Sequence, residues 1–517
     1  MISLVCVLWR RLLFTTLKLR LILLHVRESP VPTTSPGLII VQIDGLGHDV
    51  LREAIERGYA PFLRSLIRSA GYTLGAYYCP VPTITPAVEA ELIYGTSDGI
   101  PAYSWFHRRL GRFIRGDQAG QVKLLEETMF AGIKTPLLLG GSCIAGAYSG
   151  GASMTNISPE VQAEKSTLLR LARYRILLVP LLNPFRFWWM ILVLTGSVIA
   201  MALRAAKNRS MKLFLDEFWT LLIRLFLCDL ATTVAVVELW RKTPVLFINL
   251  SLVDKVSHTH GIRHPLVVRA IRLLDLYCKK LYDSGKLAAR PYQFVVLSDH
   301  GQSPGIPFAS ITGETLPALV TRGLGGSGTT VIQTYGNELS LKVNTTQDRV
   351  FILPSSSIAH LYFSRFLPNI ATKEMIENDF PELFKTLLSH PGIGWIMVKR
   401  SNGTSELFAH SGGSAIFAKG KVVSVRGRPV DDPEAKLHLS ALARLAQCPN
   451  NGDIILFGGQ HRSAWASFEP YIGTHGSFTG EMAWPFLLTN DTKLSTLLSS
   501  GASHRDLFKR IREMRTS

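Results

Sequence analysis

Carboxylate and imidazole side chains follow three strand-like apolar runs in this sequence. The runs are residues 38–43, 245–250 and 294–297, and the polar residues after them are Asp44, the pair Asp254 and His258, and the pair Asp299 and His300. Parallel sheets place ligands at the carboxyl ends of their strands, so these side chains are predicted to meet at one edge of a sheet. His475, in a glycine-flanked loop, completes a set with the composition of a two-metal site.

A threonine stands where such a site would need a nucleophile. The segment 81–92 is predicted to be a loop that runs into a helix, with Thr85 as the N-cap and Pro86 as the first helical residue. A hydroxyl there meets the positive end of the helix dipole, which favours an alkoxide and an incoming phosphate. Helix capping alone also explains a Thr-Pro pair. Beside two divalent metals, however, the hydroxyl is predicted to attack phosphorus in line.

The elements around these residues alternate between strand and helix. This pattern predicts an α/β fold with a mostly parallel sheet flanked by helices, a membrane-associated helical insert and a small cap. Further strands are predicted at 136–139 and 484–488. The predicted parts are a basic amphipathic segment 1–30, catalytic core at 37–165, 241–305 and 401–490, an apolar insert 166–240, a cap or lid 306–400 and a basic C-terminal helix 491–517.

The chain is strongly basic, with 56 Lys and Arg against 38 Asp and Glu, a net charge of +18. The basic clusters lie beside apolar stretches, which favours an anionic membrane surface as the partner over nucleic acid. A soluble basic protein is the alternative. The 6 cysteines form no C-x-x-C pair, which disfavours a thiolate metal site.

The uncharged stretch 187–203 has the hydropathy of a transmembrane helix. A single crossing would place Asp44 and the later ligands on opposite sides of the bilayer. The segment 176–203 is therefore predicted to form a hairpin bent at Asn183-Pro184, or in-plane helices, which makes the protein monotopic. Which side of the membrane carries the site stays open, and a buried core hairpin is the alternative.

In order and spacing, these motifs resemble those of the type I phosphodiesterase/nucleotide pyrophosphatase family of the alkaline phosphatase superfamily. The matching motifs are Asp44-Gly45, Pro82-Thr83-Ile84-Thr85, Asp254-x-x-x-His258, Ser298-Asp299-His300-Gly301 and His475-Gly476. The resemblance implies two divalent metals, usually zinc, with manganese as the alternative. The implied ligands are Asp44, Thr85, Asp299 and His300 for one metal and Asp254, His258 and His475 for the other.

Together these features predict a membrane-associated two-metal phosphoesterase, a phosphodiesterase or a phosphatase, that acts through a phosphothreonyl intermediate on Thr85. The predicted substrate is a phosphate ester, with a lipid-linked ester among the options. Nucleotide pyrophosphatases carry an Asn after the nucleophile helix; this chain has none at 99–106, where Tyr103 and Ser104 are the predicted substrate contacts. Two alternatives stay open: a transferase that passes the phospho-group to a lipid or glycan, and a non-catalytic, metal-stabilised membrane scaffold.

Overall fold

The computed structural model describes residues 35–116, 118–156, 227–334 and 348–515. The predicted basic segment 1–30 and the hairpin 176–203 lie outside the described residues. Among the helices that are described, none is both long enough and apolar enough to cross a bilayer.

The strands are short, and most belong to two large sheets. In chain order they are β1 Gly37–Ile43, β2 Thr73–Ala76, β3 Ser104–His107, β4 Arg112–Arg115, β5 Ser142–Ile144, β6 Met154–Asn156, β7 Val245–Leu250, β8 Tyr292–Leu297, β9 Ser303–Pro307, β10 Thr330–Gln333, β11 Arg349–Ser355, β12 Ile358–Phe363, β13 Ile393–Lys399, β14 Ser405–Ala409, β15 Ser414–Ala418, β16 Lys421–Arg426, β17 Ile454–Gly458, β18 Gln460–His461, β19 Ala464–Ser467, β20 Gly473–Thr474 and β21 Phe486–Thr489.

The helices alternate with these strands along the chain. They are α1 His48–Glu56, α2 Pro61–Ser69, α3 Thr85–Tyr94, α4 Ala119–Met129, α5 at residues 227–240, α6 Leu252–His260, α7 Pro265–Leu287, α8 Ala309–Thr312, α9 Leu316–Gly323, α10 Lys373–Asp379, α11 Leu383–Ser389, α12 Ala435–Leu445, α13 Thr492–Ser499 and α14 His504–Met514. Short 3₁₀ turns occur at Arg108–Leu110, Ser364–Phe366 and Glu481–Ala483.

The central sheet has 7 strands in the order β2-β21-β8-β1-β7-β5-β6. Strand β1 pairs in parallel with both β7 and β8, and β5 continues the parallel arrangement on β7. At one side, β21 runs antiparallel to both of its neighbours, β8 and β2, so β2 has the same direction as the parallel strands. Every residue of β1 is buried, as expected for a strand covered on both faces. The predicted α/β fold with a parallel-rich sheet is therefore confirmed.

Helices cover both faces of this sheet because successive strand residues point to opposite sides. On one face, Ile39 and Val41 pack in a core with residues of α1, α2 and α7. On the other face, Leu38 and Ile40 pack with residues of α3 and α14. Helix α5 is the C-terminal end of the predicted insert 166–240, and it packs in the first of these cores, so this part of the predicted insert is wrong. The elements on both sides of the insert thus belong to one layered body.

The second large sheet has 8 strands in the order β10-β11-β12-β17-β13-β14-β15-β16. Its pairs are antiparallel except β10 with β11. Helices α9, α10 and α11 pack on one face and α12 on the other. The predicted boundary at residue 400 falls between the neighbouring strands β13 and β14, so the ranges 306–400 and 401–490 both supply strands to this sheet.

One predicted strand is wrong, and another is confirmed. Residues 137–140 form a turn, and the strand of this region is β5, which starts at Ser142. Leu137 and Leu138 are nevertheless fully buried in the core under α3. The apolar run is explained by the burial of this turn. Hydropathy alone does not distinguish a buried turn from a buried strand. The strand predicted near 484–488 exists as β21.

Candidate two-metal active site

Three neighbouring strands deliver the acidic residues to one edge of the central sheet. Asp44 directly follows β1, and Asp299 follows β8 after one residue. Asp254 lies in the first turn of α6, just beyond β7. Because β7, β1 and β8 are parallel and adjacent, their carboxyl ends bring these carboxylates together, as the sequence predicted.

Thr85 lies at the start of α3, and its hydroxyl faces the site. The N-cap is Ile84 and Thr85 is already helical, so the predicted N-cap role is wrong. Its Oγ1 lies 3.5 Å from Asp44 Oδ1 and 3.4 Å from His300 Nε2. The hydroxyl is therefore directed at two candidate metal ligands, and it does not cap the first backbone amides of α3.

Asp44, Asp299 and His300 form the first ligand cluster. Each offers an atom within 4.8 Å of the others, and all three side chains are buried. His300 Nε2 lies 3.4 Å from Asp299 Oδ2 and 3.8 Å from Asp44 Oδ1. The amide of Gly45 donates to Asp299 Oδ1 at 3.2 Å, whereas Asp299 Oδ2 is buried without a hydrogen-bond donor among the described residues. A buried carboxylate oxygen of this kind is suited to bind a cation.

Asp254, His258 and His475 form the second cluster beside the first. His258 Nε2 lies 3.3 Å from Asp254 Oδ1 and 3.2 Å from His475 Nε2. His475 Nε2 is 3.9 Å from Asp254 Oδ1, and its ring stacks on that of His300 with centroids 3.9 Å apart. The structure therefore brings all seven predicted ligands, from five separate parts of the sequence, into two adjoining clusters.

The three imidazoles share one orientation. Their Nδ1 atoms lie 2.7 Å from Gly473 O for His258, 2.9 Å from Gly301 O for His300 and 2.7 Å from Thr83 O for His475. A carbonyl oxygen only accepts, so each Nδ1 carries a hydrogen, and each Nε2 faces the site, where it is a ligand atom when the ring is neutral. The Nε2 atoms of His258 and His475 lie 3.2 Å apart, and two neutral rings in this arrangement would direct lone pairs at each other unless a cation lies between them. The donor set therefore fits divalent metal ions.

The electrostatics of the site indicate the same deficit of positive charge. Burial, with the charges of Asp299 and Asp254, raises the pKa of Asp44 well above its usual range. Burial, with the neighbouring rings of His300 and His258, lowers the pKa of His475 well below its usual range. The imidazole is therefore neutral near pH 7, as a metal ligand must be, and the charges of Asp299 and Asp254 oppose the ionisation of Asp44.

Two amide side chains that sequence reasoning missed support the carboxylates. Asn249 Nδ2 donates to Asp44 Oδ2 at 3.2 Å, and Gln302 Nε2 donates to Asp254 Oδ1 at 2.6 Å. Each amide serves a different ligand cluster. The available signal was position, since Asn249 is a polar residue inside the apolar run of β7 and Gln302 comes two residues after His300.

A cleft of about 410 Å³ opens in front of Thr85 and the metal-type ligands. Tyr103 and Ser104, the predicted substrate contacts, lie in its wall, and the amide of Tyr103 donates to Ser355 Oγ at 3.0 Å. The cleft also has two basic residues and an apolar side. The basic residues are Arg115 and Lys255, and the apolar side includes Leu227, Cys228 and Ala231 of α5.

Comparison with known sequences identifies one family. The sequence model described as type I phosphodiesterase/nucleotide pyrophosphatase matches residues 38–321, more than half of the chain. The matched range contains β1, α3, α6 and β8, which position six of the seven ligands; His475 lies beyond it. No curated protein matches the chain.

Solved structures resemble the chain in fold at low identity. Murine ectonucleotide pyrophosphatase/phosphodiesterase 5, an inactive variant in complex with AMP, is 10% identical with a TM-score of 0.50, covering 93% of this chain and 95% of that chain. The human protein of the same name is 12% identical with a TM-score of 0.48, covering 93% and 95%. Phosphonoacetate hydrolase from Sinorhizobium meliloti, in complex with phosphonoacetate, is 12% identical with a TM-score of 0.45, covering 93% and 96%.

Proposed function

Because the chain belongs to the type I phosphodiesterase/nucleotide pyrophosphatase family and is a phosphate-ester hydrolase, we propose that Thr85 is its nucleophile and that two divalent metals assist it. One observation carries this proposal: the Thr85 hydroxyl lies 3.5 Å from Asp44 Oδ1 and 3.4 Å from His300 Nε2, at the junction of two clusters of candidate metal ligands. A scaffold would need the ligands but not the hydroxyl.

The two clusters support the ligand assignment that we propose. Asp44, Asp299 and His300, with Thr85, would hold one metal, and Asp254, His258 and His475 the other. Mixed imidazole and carboxylate ligands suit zinc, with manganese as the alternative. When bound, the metals would lower the pKa of the nucleophile and neutralise charge on the phosphoryl oxygens.

The residues of the chain account for the remaining chemistry. Thr85 Oγ1 forms a bond to phosphorus as the bond from phosphorus to the leaving oxygen breaks, and the alcohol departs. Water then cleaves the phosphothreonyl ester and restores the hydroxyl. The N-terminus of α3 favours negative charge at Oγ1 in both steps, because its dipole is positive there.

The walls of the cleft support an ester that is anionic on one side and apolar on the other. Arg115 and Lys255 offer positive charge, and Leu227 and Ala231 offer apolar contact. Helix α5 is the C-terminal end of the predicted insert 166–240, so its place in the cleft wall supports a lipid-linked phosphate ester as the substrate of a membrane-associated chain. AMP bound to the murine structure supports a phosphate-ester substrate. This interpretation makes the enzyme monotopic, with the cleft open towards the membrane surface.

Replacing Thr85 tests the proposed function directly. Thr85→Ala should lower kcat at least about 10³-fold, since loss of a nucleophile removes the covalent route. Metal content, measured by plasma mass spectrometry, should stay near that of the wild type because the other ligands are intact. The matched control is Thr85→Ser, which keeps a hydroxyl and should retain measurable turnover. Near-wild-type turnover in Thr85→Ala would exclude the covalent mechanism.

The product distinguishes hydrolysis from transfer. A phosphodiester assay with added diacylglycerol or sugar alcohol should release the free phosphate ester at the same rate with and without acceptor if water is the second nucleophile. Formation of a new diester with the acceptor would instead identify the transferase. Both reactions require Thr85, so the Thr85→Ala variant is the negative control for each.

A further inference from the structure

A further group of side chains that could bind a metal ion lies at the start of helix α12, beside the second sheet. Asp432, Glu434 and His438 each offer a ligand atom within 4.8 Å of the others. His438 projects from the first turns of α12, and the carboxylates come from the loop before it. None of the three lines the catalytic cleft.

The hydrogen bonds of Tyr78 fix the tautomer of His438. The Tyr78 hydroxyl donates to Phe478 O at 2.9 Å and lies 3.0 Å from His438 Nδ1. Since the tyrosine proton is used, the phenol oxygen accepts from Nδ1–H. Nε2 therefore carries a lone pair, and it lies 3.2 Å from Asp432 Oδ1.

This arrangement leaves an unpartnered ligand atom aimed at the acidic pair. The His438 side chain is 1% exposed, and Nε2 has no hydrogen-bond partner in the described part of the chain. A neutral ring whose Nδ1–H is donated to Tyr78 has no hydrogen to offer Asp432 Oδ1, so a cation between the two atoms would be favourable. The amide of Glu434 donates to Asp432 Oδ1 at 2.8 Å, which holds the two acidic residues next to each other.

We propose that Asp432, Glu434 and His438 bind a third divalent metal ion, separate from the catalytic pair. One imidazole and two carboxylates suit zinc or a similar borderline transition metal, whereas calcium and magnesium prefer oxygen ligands alone. Asp432 is 29% exposed, so water has room to complete the coordination shell. The Tyr78 hydroxyl is the outer partner that orients the histidine, as is usual for metal-bound imidazoles.

The position of this site gives it a structural role. Tyr78 lies in the segment that leads to Thr85, and Phe478 comes three residues after His475. Through His438 and Tyr78, an ion at the start of α12 would join the second sheet to both segments. The metal would therefore stabilise the junction without contacting the substrate.

Zinc stoichiometry tests the third site. Asp432→Asn and Glu434→Gln remove a ligand charge at the surface of the junction and preserve side-chain size. The matched control is Asp431→Asn, the adjacent carboxylate, which is 81% exposed and outside the cluster. Each protein is stripped with chelator, reloaded with excess zinc, passed through a desalting column and analysed by plasma mass spectrometry.

Both ligand variants should hold one zinc fewer per chain than the wild type, and Asp431→Asn should match the wild type. The catalytic metals contribute equally to all four proteins, so the difference is independent of their occupancy. Zinc should also raise the Tm of the Asp431→Asn control more than that of either ligand variant. Equal zinc content and equal Tm shifts in all four proteins would overturn the third site.

Discussion

At the scale of single residues, each histidine of the site is held by a hydrogen bond from one ring nitrogen, and its other ring nitrogen faces the site. Each of His258, His300 and His475 uses Nδ1 on a backbone carbonyl and turns Nε2 inward. Amide side chains donate hydrogen bonds to two of the carboxylates: Asn249 donates to Asp44, and Gln302 donates to Asp254. Ligand geometry therefore depends on partners that would not touch a metal themselves.

The two supporting amides should matter for metal affinity. Asn249→Leu and Gln302→Leu each remove a donor from a buried carboxylate, so we expect each variant to bind zinc about 10- to 100-fold more weakly. Competition with a fluorescent chelator measures the change. Gln293→Leu, on β8 but away from the ligands, is the control and should bind zinc like the wild type. Unchanged zinc affinity in both amide variants would show that the carboxylates need no such support.

At the scale of elements, the turn after β1 determines how closely two ligand-bearing segments approach. Gly45 has φ of +70°, and a Cβ there would lie 2.8 Å from Asp254 Oδ1 and 3.0 Å from Asp254 Cα. Only glycine leaves room for α6 to place Asp254 beside the turn. The Asp-Gly pair of the sequence motif thus reflects a close approach between β1 and α6.

Gly45→Ala should therefore disrupt the site as well as strain the backbone. We expect a loss of about 10²-fold or more in kcat/KM, because displacement of a catalytic group by about 1 Å has such an effect. Gly58→Ala is a matched control, since Gly58 has φ of +76° but no atom lies within 4 Å of the point where its Cβ would be. Both variants lose stability from the positive φ, and only Gly45→Ala should lose activity. Equal activities in the two would refute the close-approach argument.

The elements that sequence predicted best are the buried parallel strands. Strands β1, β7 and β8 read as continuous apolar runs followed by a ligand, so both the strand and its functional end are visible in the sequence. The sequence did not predict the second sheet as one unit, because β17 joins its two halves by pairing with the distant strands β12 and β13, and such pairing partners leave no local signal. The group around His438 was missed for a similar reason, since Tyr78, which orients it, lies far away in sequence.

At the scale of the whole molecule, the central sheet sets a condition on the predicted membrane insert. Strands β5 and β6, before the insert, and β7, after it, are hydrogen-bonded neighbours. Residues 156 and 227 therefore belong to the same body. We propose that the intervening segment crosses the membrane an even number of times or lies in its plane, on the same side as the site.

Cysteine labelling tests this topology. In a Cys6→Ser background, Lys123→Cys and Lys279→Cys place thiols at positions 69% and 53% exposed on the two sides of the insert. The native cysteines in the described residues are buried, so background labelling should be low. An impermeant maleimide should label both positions from the same side of sealed vesicles. Labelling from opposite sides would contradict both the topology and the assembled site.

The stereochemical course at phosphorus tests the central claim, attack by Thr85, most directly. Each in-line displacement inverts phosphorus, so a phosphothreonyl route with two displacements should retain configuration, whereas direct attack by water should invert it. The measurement uses a chiral phosphorothioate diester hydrolysed in ¹⁸O-labelled water, followed by analysis of the product configuration. We predict retention of configuration. Inversion would contradict the covalent role of Thr85.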